Sequence, residues 1–397
     1  MRGKLDGCET LRNRWAILAV LFAIRLTMAF QFQSVAAVAP LLGRDFDVGL
    51  AEIGILIGLY FTPGLALALP GGAIGQRFGD KRTVLGALIL MLVGGLAMAL
   101  SDSWTGQIAG RLVAGAGGVL LNVQMTKMVA DWFAGKEIAT AMAIFVNSWP
   151  AGIALSLLTL PAVGTAYGVR AVYFTVVALI GSGLVLLAAA YQSPANSVTT
   201  DVASARLDRD AAIAVILAGL IWGLFNVGFA TIFSFGPSML VERGWSITSG
   251  GSAISIVLWL AVLSVPAGGF LADRTKRPQS ILVGGCILFA ILMVALPRSD
   301  AVILIVTALG LISGQPAGPI LSLPALILTP QTRAIGMGIF YTLYYATMML
   351  GPVIAGECAK RTGSAAAAFD FGAAVLLACP ALLLVFNRFP TPRPKMA

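Results

Sequence analysis

The chain has 397 residues, of which 58% are hydrophobic and only 11% are charged, and its formal net charge is +9. A soluble protein of this length carries about 25% charged residues, so the composition excludes an ordinary soluble domain and indicates helices in a lipid bilayer. In a soluble protein the positive charge would suggest a nucleic-acid partner. Here Lys and Arg in loops at the membrane surface explain it, so the expected partner is the lipid bilayer and not nucleic acid.

Twelve apolar runs are long enough to cross a bilayer as helices, which takes roughly 17–25 residues each. We number as spans 1 to 12 the residues 15–42, 53–75, 83–100, 105–130, 138–160, 171–191, 211–240, 248–272, 280–296, 301–328, 334–356 and 366–386. The polar stretch 192–210 divides them into two sets of six. We therefore predict an all-α membrane protein with twelve transmembrane helices in two six-helix bundles, residues 1–191 and 211–397, joined by a cytoplasmic linker.

The basic residues predict the orientation of the chain. If both termini are cytoplasmic, 18 of the 26 Lys and Arg residues lie in cytoplasmic segments and six lie in outer loops. Cytoplasmic loops of membrane proteins carry such an excess, so we expect a multi-pass protein of a bacterial-type inner membrane with both termini inside. The first apolar run is too long for a signal-peptide core and is expected to be retained as a helix.

A short polar loop occurs twice at matching places in the two sets of spans. Gly72-Ala-Ile-Gly-Gln-Arg-Phe-Gly-Asp-Lys-Arg82 follows span 2, and Gly269-Phe-Leu-Ala-Asp-Arg-Thr-Lys-Arg277 follows span 8, at an offset of 197 residues. Both resemble the G-x-x-x-D-R-x-G-[RK]-[RK] loop of the major facilitator superfamily. The resemblance implies a secondary transporter built from two similar halves, with the substrate site between them near mid-membrane.

The resemblance also implies that these loops latch the two halves together. The residues concerned are Gly72, Gln76, Arg77, Gly79, Lys81 and Arg82 in the first loop, and Gly269, Asp273, Arg274 and Arg277 in the second. Gln76 stands where the family has an Asp, and a glutamine cannot form an ion pair. Asp273 and Arg274 keep the charged pair in the second loop. The alternative is that the basic residues only anchor the topology.

Span 4 contains Arg111, Gly115 and Gly117, which match the family pattern R-x-x-x-G-x-G. An arginine inside a span must face protein or water, and the glycines allow close helix packing. Two readings stay open. By resemblance Arg111 is a candidate for proton or conformational coupling, whereas physically it can be a structural arginine satisfied by backbone carbonyls.

Arg25 stands ten residues into span 1, about 15 Å deep at 1.5 Å per residue and so near the middle of an apolar layer about 30 Å thick. A charge there costs at least a few kcal/mol unless it is paired or solvated, so Arg25 is a functional candidate. An anion would satisfy it, and the sequence offers no acidic partner at that depth. Solvation by carbonyls or pore water is the alternative.

Amide and aromatic side chains within the spans form the predicted substrate site. They offer neutral donors, neutral acceptors and flat apolar faces, which suit a flat solute. Together with Arg25 the predicted binding residues are Gln31, Gln33, Asn122, Gln124, Asn147, Trp149, Trp222, Asn226, Gln315, Tyr341, Tyr344 and Tyr345. The alternative for each amide is ordinary helix packing.

Several activities are disfavoured by residues that the sequence lacks. There is no histidine, the four cysteines form no CxxC pair, and the 13 methionines form no M-x-x-x-M ladder. We therefore predict no metal site, no cofactor and no copper import. The sequence shows no nucleophile–base set of the kind that would indicate an enzyme. The acidic residues lie in loops, termini or span ends, which speaks against a proton-driven drug exporter.

The function predicted from the sequence is uptake of a small flat heteroaromatic nutrient, with a riboflavin-like vitamin as the concrete instance, by a monomeric carrier working through alternating access. A small-anion carrier of the nitrate, cyanate or carboxylate kind, with Arg25 as the anion ligand, is the alternative. A transporter-shaped receptor that moves no solute is a third possibility.

Overall fold

The computed structural model describes residues 2–133, 137–191, 207–329 and 332–389. Within these ranges the regular elements are helices and no strand is present. The helices are α1 Arg2–Ala37, α2 Ala39–Phe46, α3 Leu50–Leu59, α4 Gly64–Phe78, α5 Asp80–Leu100, α6 Trp104–Trp132, α7 Ile138–Val146, α8 Ser148–Ala190, α9 Arg209–Glu242, α10 Ile247–Thr275, α11 Pro278–Ala295, α12 Val302–Ser313, α13 Ala317–Ser322, α14 Arg333–Thr362 and α15 Ala366–Phe386. Most of the predicted linker 192–210 lies outside the described residues.

Eleven helical segments of the described chain are long and apolar enough to cross a membrane. One of them, Thr140–Ala190, has 51 residues, and most of it is helix α8. The 43 residues of α8 would extend about 65 Å at 1.5 Å per residue, about twice the thickness of the hydrocarbon layer. Gly168, at φ 81°, breaks α8 in a conformation that L side chains rarely adopt. The segment therefore supplies spans 5 and 6, and the predicted total of twelve is confirmed.

Four spans are broken inside the membrane layer. Span 1 breaks at Val38, between α1 and α2, and span 2 breaks between α3 and α4. Span 5 breaks at Asn147, and span 10 breaks where Gly314 and Pro316 separate α12 from α13. Irregular backbone at this depth is tolerated where it is buried in protein or lines a wet cavity, because its polar groups need partners. Three of these breaks border the cavity described below.

The helices pack as the two six-helix bundles that the sequence predicts. In the first half α1 and α5 pack against α8, and α5 packs against α6. In the second half α9 packs against α14 and α15, α10 against α12, and α11 against α15. The largest contacts between the halves are α3 with α14 and α8 with α10. The space between the halves is therefore bordered by spans from both.

The two halves touch most closely at one end of the molecule. We call it the distal end and define it by the loops at 47–49, 101–103, 243–246 and 363–365; the opposite end is the termini end. Gly54 and Gly58 of α3 lie directly against the carbonyl oxygens of Pro352 and Met349 in α14, where a Cβ would collide with them. Such close approach is the use that membrane helices make of small residues.

Hydrogen bonds between the halves follow the same distribution. The side-chain amide of Gln33 donates to the Phe233 carbonyl at 2.6 Å, and Lys360 lies 3.6 Å from Glu52. Both contacts are at the distal end, and the other two cross-half hydrogen bonds are at the cavity. Between the residues that the structure describes, no hydrogen bond or ion pair joins the halves at the termini end. The described contacts therefore close the distal end only.

Candidate functional site

A cavity lies between the two halves where spans 1, 2, 4, 5, 7, 8, 10 and 11 meet. The space open to the centres of water molecules is about 150 Å³, enough for roughly ten waters at about 15 Å³ each. The lining residues are Arg25, Met28, Tyr60, Phe61, Gly118, Val119, Asn122, Val146, Asn147, Trp149, Pro150, Trp222, Phe225, Asn226, Phe229, Phe233, Ala261, Val265, Ser313, Gly314, Ala317, Leu321, Tyr344, Tyr345 and Met348. Arg25 is the only one of them that carries a charge.

The guanidinium of Arg25 is held by neutral acceptors from spans 4 and 5. Its Nε donates to Asn122 Oδ1 at 3.1 Å, and its Nη1 lies 3.0 Å from the carbonyl oxygens of both Phe145 and Val146 and 3.2 Å from Ser148 Oγ. The guanidinium carbon also lies 4.7 Å from the centre of the Phe145 ring. The break at Asn147 leaves the Val146 carbonyl available, because Pro150, four residues further on, has no N–H to donate to it.

Arg25 has no counter-ion in the described structure. Eight ion pairs join described residues, and none of them includes Arg25. Its Nη2 group has no hydrogen-bond acceptor among the described residues, although the side chain is only half-buried and lines the cavity. One face of the cation is therefore left for water or for a ligand. The sequence raised solvation by carbonyls and binding of an anion as alternatives, and this geometry allows both at once.

Asparagines from the first half reach the second half at the cavity. The Asn122 amide, which accepts from Arg25, donates to the Tyr345 hydroxyl at 3.4 Å. Asn147 Nδ2 donates to the Val262 carbonyl of α10 at 3.2 Å. On α9, Asn226 Nδ2 donates to the carbonyl of Trp222 at 2.7 Å, so the Asn226 side-chain oxygen keeps its accepting capacity.

Aromatic rings form the walls of the cavity on both sides of Arg25. Trp149 stacks on Phe32 with ring centroids 5.2 Å apart. Across the cavity Trp222 stacks on Phe225 at 5.8 Å and lies 6.3 Å from Tyr344. Rings held in this way present flat apolar faces, so the cavity combines one cation, neutral amides and stacking surfaces.

Eight of the thirteen predicted binding residues line the cavity. They are Arg25, Asn122, Asn147, Trp149, Trp222, Asn226, Tyr344 and Tyr345. The other five have different surroundings. Gln31 donates to the Met91 carbonyl at 2.9 Å, Gln33 forms the distal bond to Phe233, and Gln315, in the turn after α12, donates to the Leu311 carbonyl of that helix at 3.0 Å.

Gln124 and Tyr341 also lie outside the cavity lining. Gln124 is buried against Gly75 of span 2. Tyr341 is 39% exposed and packs edge-on against the rings of Phe340 and Tyr344. A role in binding the cargo remains a prediction for all thirteen residues, and geometry favours the eight that line the cavity.

The sequence analysis did not single out seventeen of the lining residues, among them three aromatic ones on α9. Phe225, Phe229 and Phe233 line the cavity together with Trp222 and Asn226. Residues three, four and seven positions apart share a helix face, so the periodicity that pairs Trp222 with Asn226 also predicts Phe229 and Phe233. Tyr60 and Phe61 lie at the break in span 2, which no sequence pattern located.

Arg111 is fully buried and bonded to backbone on two spans. Its Nε donates to the Leu56 carbonyl at 3.0 Å, Nη1 to Gln31 at 3.1 Å and Nη2 to Phe32 at 2.7 Å. The guanidinium also lies 4.7 Å from the centre of the Tyr60 ring. These contacts match the structural reading of Arg111, because every nitrogen has a neutral acceptor within the first half.

The two glycines that follow Arg111 allow close packing within the first half. A Cβ on Gly115 would collide with the Tyr60 carbonyl, and one on Gly117 would collide with that of Ala87. The close approach expected from the sequence is therefore present at both positions.

The first repeated loop is bonded mainly to its own half. Gly79 ends α4 at φ 85°, and Lys81 donates to the Ala188 and Tyr191 carbonyls at 3.0 and 2.8 Å. Lys127 forms ion pairs with Asp80 at 2.7 Å and with Asp131 at 3.0 Å. The charged cluster of this loop thus uses Asp80, which the sequence analysis did not select. Arg77 and Arg82 are exposed, and the side-chain surroundings of Gly72 and Gln76 lie outside the described residues.

The second repeated loop is solvent-exposed in this conformation. Asp273, Arg274 and Arg277 are exposed, and within the described ranges none of them forms an ion pair. The Cα of Gly269 lies 3.1 Å from the position that a Cβ on Gly318 would take. Neither Asp273 nor Arg274 forms an ion pair among the described residues, so their latch role remains a prediction.

Two helix bundles that enclose a central cavity, closed at one end by direct backbone contact, define a membrane carrier rather than a soluble binding protein. A family model described as Major Facilitator Superfamily matches residues 21–325 and 211–397. The chain belongs to this superfamily.

Individual relatives are distant in sequence. The hexuronate transporter of Bacillus subtilis (strain 168) is 22% identical over 282 residues, which cover 67% of this chain and 66% of that protein, just under two thirds. The 3-(3-hydroxy-phenyl)propionate transporter of Escherichia coli (strain K12) is 22% identical over 378 residues, 94% of each protein. The solved inward-open structure of the xylose transporter XylE from E. coli has the same fold, with a TM-score of 0.77 at 12% identity and coverage of 96% and 98%.

Proposed function

We propose that this transporter moves a small organic anion with a flat or ring-shaped apolar body, and that Arg25 binds the anionic group. The observation that carries the proposal is the half-buried Arg25 cation, which lines the cavity with neutral partners only and with Nη2 unbonded among the described residues. A carboxylate suits this group in charge, and it can accept a hydrogen bond from the Nη2 group that the described residues leave open.

The walls of the cavity and the relatives support the same class of cargo. Trp149 and Trp222 offer ring faces on opposite halves, which favours a flat body over a compact inorganic ion. Two relatives are named for carboxylates, a hexuronate and a hydroxyphenylpropionate. Both lines of support are compatible with an aromatic or cyclic acid of modest size.

A neutral flat nutrient such as a riboflavin-like vitamin is the second candidate. The aromatic walls and the free oxygen of Asn226 favour it equally, because stacking and amide hydrogen bonds need no charge on the ligand. The Arg25 charge distinguishes the two candidates. Losing it removes the ion pair with an acid, but removes only one donor group from a neutral solute.

We further propose that the protein is a monomer of a bacterial-type inner membrane with both termini in the cytoplasm, and that it works in uptake by alternating access. The excess of Lys and Arg in the loops of the termini end supports this orientation. In it, the end closed by α3 and α14 faces outward, and the cavity is poised toward the cytoplasm.

Ligand-induced stabilisation of the purified protein tests the proposed cargo. The probes are 3-(3-hydroxyphenyl)propionate, its uncharged amide, glucuronate and riboflavin. A ligand at 100 times its Kd stabilises the folded state by about 2.7 kcal/mol, so a bound probe raises the unfolding temperature. We expect the aromatic acid to do so and its amide to have little effect, and we expect Arg25→Gln to remove the response to the acid.

Gln279→Ala is the matched control, because Gln279 is an exposed amide outside the cavity lining that bonds to Asn387. It should respond to the acid as the natural protein does. Stabilisation by riboflavin that survives Arg25→Gln would replace the anion proposal with the neutral-nutrient one. If the acid and its amide stabilise equally, the proposed role of Arg25 is wrong.

A further inference from the structure

The charge balance of the cavity bears on how the carrier is driven. Arg25 contributes one positive charge, and the other lining residues contribute none. Its hydrogen-bond acceptors are two carbonyls, a hydroxyl and an amide oxygen, all of them neutral. The empty cavity therefore has a net charge of +1, and a cavity holding a monovalent anion has a net charge of zero.

This charge stays in the cavity during rocking of the halves. Asn122, Phe145, Val146 and Ser148 all belong to the first half, as does Arg25 itself. The acceptors of the guanidinium can therefore move with it as one body. No described carboxylate of the second half lies within ion-pair distance of Arg25, so closing the termini end around an empty cavity must confine an uncompensated cation.

Confining that cation is unfavourable, and an anion removes the penalty. A charge withdrawn from water into a membrane interior is costly unless it is paired, and a bound anion supplies the pair. The state in which both ends are closed should therefore be reached much more readily with the anion bound than without it. The empty carrier should return slowly.

We propose that this transporter is an exchanger, which crosses the membrane quickly only when loaded and so swaps one organic anion for another. The inference rests on the proposed function, because it requires an anionic cargo. It adds the mode of transport. One-for-one exchange of monovalent anions moves no net charge, whereas net uptake includes the return of an empty cavity that carries the charge of Arg25.

Uptake into proteoliposomes tests this mode directly. The intact purified protein is reconstituted, and entry of radiolabelled 3-(3-hydroxyphenyl)propionate is measured into vesicles that contain either the unlabelled acid or only buffer. We expect internal acid to raise the initial rate at least tenfold. A potential set by potassium and valinomycin should leave exchange unchanged, because a loaded cavity is neutral.

The opposite results identify which proposal fails. Equal uptake rates with and without internal acid would overturn the exchange proposal and leave the proposal of an anionic cargo standing. Net uptake that a proton gradient alone drives as fast as exchange would have the same consequence. No uptake under any condition, together with no stabilisation by the acid, would overturn the proposed function and the exchange inference with it.

Asn122→Asp tests the charge argument itself. Asp is nearly the same shape as Asn and places a carboxylate 3.1 Å from Arg25 Nε, so the empty cavity becomes neutral. We expect the stimulation by internal acid to fall at least threefold at saturating concentration, because the empty carrier now returns more easily. Gln279→Glu, which adds a carboxylate at an exposed position outside the cavity lining, should leave the stimulation unchanged. Unchanged stimulation in folded Asn122→Asp protein would overturn the inference.

Discussion

Replacing Arg111 by lysine tests whether this residue is a structural tie. The guanidinium reaches three carbonyls in three directions, those of Leu56, Gln31 and Phe32. A lysine ammonium carries its donors on one nitrogen, whereas the three carbonyls are bonded by three separate nitrogens of the guanidinium, so we expect lysine to keep one of the three hydrogen bonds. Hydrogen bonds to charged groups are worth about 1.5–3 kcal/mol each. At the lower figure, losing two of the three hydrogen bonds costs about 3 kcal/mol, which we expect for Arg111→Lys.

Arg111→Met supplies the comparison that separates the two readings. Methionine loses all three hydrogen bonds, but it also removes a buried cation whose desolvation costs several kcal/mol. The methionine variant should therefore unfold at a higher temperature than the lysine variant, with the natural protein above both. The assay is the midpoint of thermal unfolding in detergent, with uptake of a cargo measured on the same preparations.

One result would refute the structural reading. If the Arg111→Lys variant unfolds at the same temperature as the natural protein and yet loses transport, then Arg111 acts in proton or conformational coupling, as the family resemblance implies. A lysine variant that is more stable than the methionine variant would also contradict the structural reading. It would mean that the positive charge, and not the hydrogen bonds to three carbonyls, holds the helices together.

Three further predictions concern the closed end, the charged cluster and the cavity. Gly58→Ala should impair transport while preserving cargo binding, because the added methyl group meets the Met349 carbonyl; Gly86→Ala, with no neighbour within 4 Å, is the control and should transport normally. Lys127→Met should lower the free energy of unfolding by about 1 kcal/mol, because Asp80 and Asp131 lose the cation that pairs with them. A double-mutant cycle with Asp80→Asn measures the coupling between the two residues, and a coupling of zero would contradict the prediction. Asn122→Ala should weaken binding of the aromatic acid at least fivefold, because Arg25 loses the acceptor that holds its Nε, and equal binding would show that this bond does not position the cation.

Hydropathy predicted the helices well because burial in lipid requires long apolar runs whatever the packing. The twelve spans and the two bundles follow from that requirement. The breaks inside spans were harder to predict, since tertiary contacts satisfy their backbone groups. Gly314 and Pro316 signalled the break in span 10. Pro150 marks the break at Asn147 in the same way, because it has no N–H for the Val146 carbonyl, but the sequence analysis did not use it.

The predicted site mixed residues from different helix faces, and helix geometry explains which ones fail to reach the cavity. Six residues at about 100° each place Gln31 roughly 120° around the helix from Arg25. Asn122 and Gln124, two residues apart, cannot face the same way. In contrast, Trp222 and Asn226 share a face, and both line the cavity. Periodicity could thus have removed Gln31 and one of the two span 4 amides, while the distal bond of Gln33 depends on the second half and could not be foreseen.

The hydrogen-bonding cradle of Arg25 lies entirely in the first half, whereas the large flat rings come from both: Trp149 from the first, Trp222 and Tyr344 from the second. Under the proposed function, the preference for an anion therefore lies in the first half alone, while the preference for a ring shape draws on both halves. A chimera that keeps the first six spans and borrows the last six from a distant relative should go on recognising acids while changing which ring system it accepts. Duplicated halves of this kind could diversify their cargo by altering one copy while the other preserves the anchor.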